Sequence, residues 1–211
     1  MHVRIKICGI TRYEDARIAA NLGVDALGFI FHPASPRYVH PSAVREIVRQ
    51  LPPFVSRVGI FVNASESAMI ETAQVAGLDT IQLHGDESPA CAERLPLPVI
   101  KAFSIRSDSD LSILDTYRVA GYLLDTWDES VRGGSGKTFD WGIAEKAARS
   151  YTTILAGGLG PTNIREALDA VNPYGVDVNS GVEISPGVKN PAKMKDVISL
   201  VKGWKATIRP L

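Results

Sequence analysis

Eight short apolar or β-branched runs recur along the whole chain, and segments with helical apolar spacing lie between them. The runs are VRIKIC, ALGFIF, RVGIFV, TIQLH, VIKAF, GYLLD, TTILAG and GVDVN, beginning near Val3, Ala26, Arg57, Thr80, Val99, Gly121, Thr153 and Gly175. Several are too continuously apolar to face water on one side, which is typical of strands in a parallel sheet covered on both faces. Their spacing of roughly 19 to 32 residues is what a strand, a loop and a helix consume in a right-handed βαβ unit.

Eight such units predict an α/β fold, a (βα)8 TIM barrel that forms a single domain over residues 1–211. The alternative is an open doubly wound sheet. Its usual dinucleotide fingerprint, G-x-G-x-x-G after the first strand, is missing because CGITRYED holds one glycine. The barrel is therefore favoured, and no linker or change of composition suggests a second domain.

Helix ends are also marked in the sequence. Three starts carry residues that can cap a first turn, namely Thr11 with Glu14 as a capping box, Ser88 before Pro89, and Asn190 before Pro191. Gly23 and Gly77 each follow an apolar-periodic run, which predicts a glycine cap at the carboxyl end of a helix.

Charge and hydropathy exclude several classes of partner. Lys plus Arg and Asp plus Glu number 23 each, so no field of the whole molecule attracts nucleic acid or an anionic membrane. The apolar runs are too short to cross a bilayer, and the amino terminus lacks the apolar stretch of a secretory signal. We expect a cytoplasmic monomer with reduced Cys8 and Cys91. The cysteines and four histidines lack the clustered spacing of a metal site.

In a barrel of this kind the active site lies where the carboxyl ends of the strands meet. Read in order, the strand ends and the loops after them supply Cys8, Arg37, Asn63, His84, Ser104, Asp125, Gly157 with Gly158, and Asn179 with Ser180 and Gly181. These groups are able to bind an anion and to move protons.

The last two loops, LAGGLGPTN and DVNSGVE, are rich in small residues. Gly157, Gly158, Ser180 and Gly181 let backbone N–H groups approach a ligand closely, and barrels often bind phosphate at these two loops. The alternative is that the glycines only make tight turns. The favoured prediction is a phosphorylated small-molecule substrate.

The segment Arg132–Thr138 reads RGGSGKT, like the end of a nucleotide-binding P-loop. That motif requires a glycine where Val131 stands, so the P-loop interpretation fails. A glycine-hinged lid over the barrel mouth and a plain surface loop remain as alternatives.

Four side chains at the mouth have a chemical and a structural interpretation. Cys8 lies near Lys6 by strand alternation. In the chemical interpretation this cationic neighbour stabilises a Cys8 thiolate, and in the structural one the thiol only packs in the core. Asp125 is a proton donor or a loop cap. Arg37 either binds an anion or is a solvated loop arginine. His84 either transfers a proton or only forms hydrogen bonds in the wall of the pocket.

Ordered motifs over nearly the whole chain resemble the phosphoribosylanthranilate isomerase family. They are KICGIT, GFIF with SPR, VGIFVN, QLHGDE, LLDT with GGSGKTFDW, LAGGL and DVNSGVE. The resemblance implies a cofactor-free Amadori rearrangement in tryptophan biosynthesis, with Cys8 as general base and Asp125 as general acid. It further implies that Arg37 binds the anthranilate carboxylate and that Gly157, Gly158, Ser180 and Gly181 bind the phosphate. His84 and Asp177 are implied as secondary pocket residues.

Two features depart from or exceed that pattern. Asn179 precedes Ser180 where many relatives have two serines, and Trp127 and Glu129 have no assigned role.

Two other functions remain in competition. A related sugar-phosphate barrel is disfavoured because Cys8 stands where paired aspartates would be expected, and a non-catalytic phosphate-binding barrel is disfavoured because Cys8 and Asp125 are both present.

Overall fold

A computed structural model of the chain describes residues 2–105, 107–125 and 141–205. Within these ranges eight parallel strands close into a barrel in which each strand pairs with the next and the last pairs with the first. They are β1 (Arg4–Ile7), β2 (Ala26–Ile30), β3 (Ser56–Phe61), β4 (Thr80–Leu83), β5 (Val99–Phe103), β6 (Gly121–Asp125), β7 (Thr153–Ala156) and β8 (Gly175–Val178). The predicted (βα)8 barrel is confirmed, and the open doubly wound sheet is wrong.

Helices cover the outside of the barrel. Those in the described ranges are α1 (Tyr13–Asn21), α2 (Pro41–Val48), α3 (Glu66–Ala76), α4 (Pro89–Arg94), α5 (Trp141–Ser150), α6 (Ile164–Val171) and α7 (Pro191–Gly203). In α6 the buried residues are Ile164, Ala167, Leu168 and Val171, a spacing that puts one apolar stripe against the strands. None of the helices in the described ranges has the length and apolar content needed to cross a bilayer.

Most predicted helix ends are confirmed. The Ser88 hydroxyl accepts a hydrogen bond from the N–H of Cys91 at 3.3 Å, and the Asn190 side chain accepts one from the N–H of Ala192 at 3.0 Å. Gly77 ends α3 with φ of 71°, and Gly23 follows α1 with φ of 79°. Both angles lie in the left-handed region that favours glycine.

The predicted capping box of Thr11 and Glu14 is wrong. Helix α1 begins one residue later than that box requires, after Arg12, whose side chain makes no capping hydrogen bond. The Thr11 hydroxyl instead donates to the carbonyl oxygen of Gly187 at 2.6 Å. The Thr11 hydroxyl thus makes a tertiary hydrogen bond in place of the helix cap that the local sequence pattern predicts.

Some elements were not expected from the sequence. A 3-10 helix, Asp108–Thr116, stands between β5 and β6 where other units have an α-helix. Its Ser- and Asp-rich start offers side chains that compete for backbone hydrogen bonds. After β8, a short antiparallel pair is formed by β9 (Glu183–Ser185) and β10 (Val188–Lys189). The prediction of one domain over residues 1–211 includes ends that lie outside the described ranges and stays a prediction.

Candidate active site

A cavity of about 570 Å³ opens at the carboxyl ends of the strands. Of the predicted site residues, it is lined by Cys8, Arg37, His84, Asp125, Gly157, Gly158, Asp177 and Ser180. Gly181 is not in its wall. Strand ends that are far apart in the sequence therefore meet in one place, as a parallel barrel requires.

Other cavities carry less of the predicted chemistry. One of about 820 Å³ adjoins the first and shares His84 and Asp125 with it. Another, of about 500 Å³, lies at the amino-terminal ends of the strands, where the 95% exposed Phe54 is part of its rim. None of the predicted site residues lines that cavity. We therefore place the site at the mouth described first.

Cys8 follows β1 and is only 5% exposed. Burial raises the pKa of the Cys8 thiol, and the charge of Lys6 opposes that rise because it favours the thiolate. Lys189 acts in the same direction as Lys6, whereas Asp177 adds to the rise. The predicted influence of Lys6 is confirmed in sign, but burial outweighs it and the pKa is raised overall.

The sulfur of Cys8 occupies space beside Gly28 of β2. A Cβ atom at position 28 would lie 2.9 Å from Cys8 Sγ and 3.0 Å from Ile60 Cδ1. Both distances are shorter than ordinary van der Waals contacts, so glycine at this position leaves room for the thiol.

Lys6 and Asp177 are register partners on β1 and β8. Their side chains form a buried ion pair, with 2.6 Å between Lys6 Nζ and Asp177 Oδ2. The other carboxylate oxygen, Oδ1, is buried and has no hydrogen-bond partner among the described residues. Asp177 thus lines the cavity as predicted, with one oxygen held by lysine and one left for a donor.

Asp125 ends β6 and faces His84, which follows β4. His84 Nε2 lies 3.6 Å from Asp125 Oδ2, and both side chains are partly exposed. On its other side, His84 Nδ1 is 2.9 Å from the amide nitrogen of Gln82. With that amide nitrogen as donor, neutral His84 carries its proton on Nε2 and presents it to Asp125.

Arg37 lies in the loop after β2 and is held by Glu183 of β9. Arg37 Nε lies 2.9 Å from Glu183 Oε1, and Arg37 Nη2 lies 2.7 Å from Oε2. Lys189 Nζ also donates to Glu183 Oε1 at 2.9 Å. Glu183 is a functional candidate that the sequence analysis missed.

The glycine-rich loops have separate roles in the fold. Gly157 and Gly158 have φ of 89° and 61°, which a side chain would oppose. A Cβ atom at Gly181 would lie 2.0 Å from the carbonyl oxygen of Leu159, so the loops after β7 and β8 are in direct backbone contact. A short 3-10 helix, Ser180–Val182, starts at the cavity wall. Its first N–H groups are suited to an anion.

Of the residues that the sequence analysis did not single out, Gln82 had a usable signal, because it is a polar residue in an otherwise apolar strand and is 1% exposed. Glu183 stood in a quoted motif without a role, and Lys189 had no local signal. The proposed lid, Arg132–Thr138, and the unassigned Trp127 and Glu129 lie outside the described residues. Cys8 and Cys91 form no disulfide, as expected.

Comparison with known proteins adds a family to this geometry. A family model described as N-(5'phosphoribosyl)anthranilate (PRA) isomerase matches residues 5–200. A protein of Pelobacter propionicus named N-(5'-phosphoribosyl)anthranilate isomerase is 48% identical over 200 residues, which cover 95% of this chain and 96% of the relative. The phosphoribosyl anthranilate isomerase structure from Thermotoga maritima is 42% identical, with a TM-score of 0.89 over 96% of this chain and 100% of that one.

Two further solved structures carry information about ligand and assembly. One, 40% identical with a TM-score of 0.87 over 96% of this chain and 100% of that one, is a complex with reduced 1-(o-carboxyphenylamino)-1-deoxyribulose 5-phosphate. The other, 38% identical with a TM-score of 0.86 over the same shares, is described as mutually generated monomers of the dimeric Thermotoga maritima enzyme. The closed barrel, the converging strand ends and the match over residues 5–200 lead to one conclusion: this chain belongs to the N-(5'-phosphoribosyl)anthranilate isomerase family.

Proposed function

We propose that this chain catalyses the Amadori rearrangement of N-(5-phosphoribosyl)anthranilate to 1-(2-carboxyphenylamino)-1-deoxyribulose 5-phosphate, a step of tryptophan biosynthesis. One observation carries the assignment of roles. Cys8, which follows β1, and Asp125, at the end of β6, line the same cavity as four of the residues proposed to bind the carboxylate and the phosphate, namely Arg37, Gly157, Gly158 and Ser180. The reaction needs an acid, a base and two anion sites around one sugar, and this cavity offers all of them.

Asp125 is the proposed general acid. In its protonated form it gives a proton to the furanose ring oxygen as the bond from that oxygen to C1 breaks. The lone pair of the anthranilate nitrogen forms a C=N bond to C1, so the ring opens to a Schiff base. The partial exposure of Asp125 and its contact with His84 support proton exchange with solvent between turnovers.

Cys8 is the proposed general base. Its thiolate removes the proton from C2, and the electrons of that C–H bond form a C1=C2 double bond while the C=N electrons return to nitrogen. The resulting enol becomes the C2 ketone when C1 takes up a proton and the C2 hydroxyl releases its own proton to solvent. Because the iminium acidifies C2, a thiolate of ordinary strength is sufficient.

Binding is assigned to the charged ends of the substrate. Arg37 is proposed to bind the anthranilate carboxylate, since its guanidinium lines the cavity and suits a planar anion. Gly157, Gly158, Ser180 and Gly181 are proposed to bind the phosphate. The wall positions of Gly157, Gly158 and Ser180 support this role, whereas Gly181 supports it through its backbone contact with Leu159. His84 and Asp177 are proposed to contact the sugar.

The test is turnover of N-(5-phosphoribosyl)anthranilate by the purified protein, followed as loss of anthranilate fluorescence. Cys8→Ser and Asp125→Asn are each expected to lower kcat by about 10²- to 10⁴-fold, the usual worth of one proton transfer. Cys91→Ser and Asp196→Asn are the matched controls and should keep full turnover. Full activity of Cys8→Ser or Asp125→Asn would remove that residue from the mechanism.

The competing functions have their own outcomes in the same experiment. A related sugar-phosphate isomerase would turn over another aminoaldose phosphate and leave this substrate unchanged. A non-catalytic barrel would bind reduced 1-(o-carboxyphenylamino)-1-deoxyribulose 5-phosphate but fail to restore growth of a host that lacks the isomerase.

Assembly and location complete the proposal. We expect a cytoplasmic monomer of 22.8 kDa, and a dimer like that named for the Thermotoga maritima relative is the alternative. Light scattering on the purified protein separates these two masses directly.

A further inference from the structure

The guanidinium of Arg37 is gripped along one edge before any ligand arrives. Glu183 accepts hydrogen bonds from Arg37 Nε at 2.9 Å and from Nη2 at 2.7 Å. This leaves Nη1, which makes no hydrogen bond to any other described residue. A bidentate pair of this kind fixes the plane of the guanidinium as well as its position.

Glu183 and Arg37 differ in their access to the cavity. Arg37 lines it, with a side chain that is 19% exposed, whereas the Glu183 side chain is 5% exposed and stands behind it. A ligand in the cavity would therefore contact Arg37 and not Glu183.

The pair taken alone has no net charge, which would give it little attraction for an anion. Lys189 changes that balance, because its fully buried ammonium lies 2.9 Å from Glu183 Oε1. Burial is the largest single influence and would raise the pKa of Glu183, but the hydrogen bonds from Arg37, Lys189 and the backbone of Gly187, together with the charge of Lys189, outweigh it and lower that pKa. Burial lowers the pKa of Lys189, and the hydrogen bond and charge of Glu183 oppose that fall. With Lys189 protonated, Arg37, Glu183 and Lys189 form a cluster with a formal charge of plus one.

We infer that Glu183 is a positioning residue that orients Arg37 for the carboxylate of the substrate, with Lys189 keeping the cluster cationic. This inference rests on the proposed function of Arg37. Orientation matters because a carboxylate is bound best by a planar, prealigned pair of N–H groups. A freely rotating arginine would have to lose that freedom each time a substrate binds.

The first test compares KM with kcat in Glu183→Gln. The change keeps the size of the side chain but removes the charge and one strong acceptor. KM should rise about 10- to 100-fold, the effect of losing one hydrogen bond between charged groups, while kcat changes less than threefold. Glu66→Gln, which breaks the exposed ion pair with Arg94, is the matched control and should leave both constants unchanged.

The second test repeats Glu183→Gln in an Arg37→Leu background. If Glu183 acts through Arg37, the substitution should there leave KM unchanged or lower it, because an unpaired Glu183 repels the substrate carboxylate. If Glu183 only holds the loops together, KM should rise in both backgrounds and the inference would be wrong. Affinity for reduced 1-(o-carboxyphenylamino)-1-deoxyribulose 5-phosphate provides the same comparison without turnover.

The failure of each proposal has its own signature. An inactive wild-type protein would refute the proposed function. Active wild-type protein with an unchanged KM in Glu183→Gln would refute the inference alone. Melting temperatures are measured for every variant, and if Glu183→Gln does not fold, Glu183→Asp takes its place, because it keeps the charge but shortens the reach to Arg37.

Discussion

Replacing Lys6 by methionine is the sharpest probe of how the barrel interior is held together. Lys6 is 5% exposed and Asp177 is 8% exposed, and Lys6 Nζ is the one hydrogen-bond donor to this carboxylate among the described residues. Burial is the largest single influence and would lower the pKa of Lys6, but the charges and hydrogen bonds of Asp177 and Cys8 together outweigh it and raise that pKa. The two side chains therefore form a charged pair, and the substitution leaves a buried carboxylate without a partner.

The expected size follows from that geometry. Removing one partner of a buried ion pair costs about 3–5 kcal/mol of unfolding free energy. Each kcal/mol shifts the melting temperature of a domain of this size by about 2–4 °C, so Lys6→Met should melt about 6–20 °C lower. The double variant Lys6→Met/Asp177→Asn should recover part of the loss, because it removes the stranded charge.

The assay is urea unfolding followed by tryptophan fluorescence and circular dichroism, with calorimetry for the melting temperature. Lys195→Met, at an exposed position on α7, is the control and should stay within about 0.5 kcal/mol of wild type. A loss below about 1 kcal/mol for Lys6→Met, or a double variant no more stable than the single one, would refute the reasoning.

Two further predictions concern the thiol and the phosphate loops. Because the pKa of Cys8 is raised, kcat/KM should keep rising with pH above neutrality as the thiolate forms. The same shift contributes to the free energy of unfolding, and this contribution is present below the unfolded thiol pKa of roughly 8.5 and is lost as pH rises toward the folded value. The difference in unfolding free energy between wild type and Cys8→Ser, measured by urea titration, should therefore narrow from pH 7 to 9.5. A flat pH profile of kcat/KM or a constant difference in unfolding free energy would contradict this. Gly181→Ala should lose about 1–3 kcal/mol of unfolding free energy through overpacking and raise KM, because its Cβ would lie 2.0 Å from the Leu159 carbonyl oxygen. Gly203→Ala is the control and should behave as wild type, because a Cβ there has nothing within 4 Å.

The fold was readable because its signals are local. The apolar runs, their spacing and the capping residues Ser88 and Asn190 each depend on a few neighbouring residues. The failure at Thr11 has the opposite cause, since its hydroxyl bonds to Gly187, 176 residues away. The 3-10 helix before β6 was missed because a short polar segment has weak periodicity of either kind.

The site was predictable as far as strand ends determine it. Cys8, His84 and Asp125 each follow a recognisable strand, so the topology brings them to one mouth. Contacts between side chains far apart in the sequence could not be predicted, because nothing local links, for example, Glu183 to Arg37, which is 146 residues away. Alternation revealed that Lys6 is near Cys8, but it did not reveal how deeply the thiol is buried.

Because Gly28 of β2 contacts Cys8, a substitution on a different strand from the proposed general base can inactivate that base. A methyl group added at position 28 would push against the sulfur at 2.9 Å while leaving the thiol chemically intact. Glycine at position 28 and cysteine at position 8 therefore fit together: a smaller residue at position 8 would leave space for alanine at position 28, whereas the cysteine sulfur would have to move to admit it.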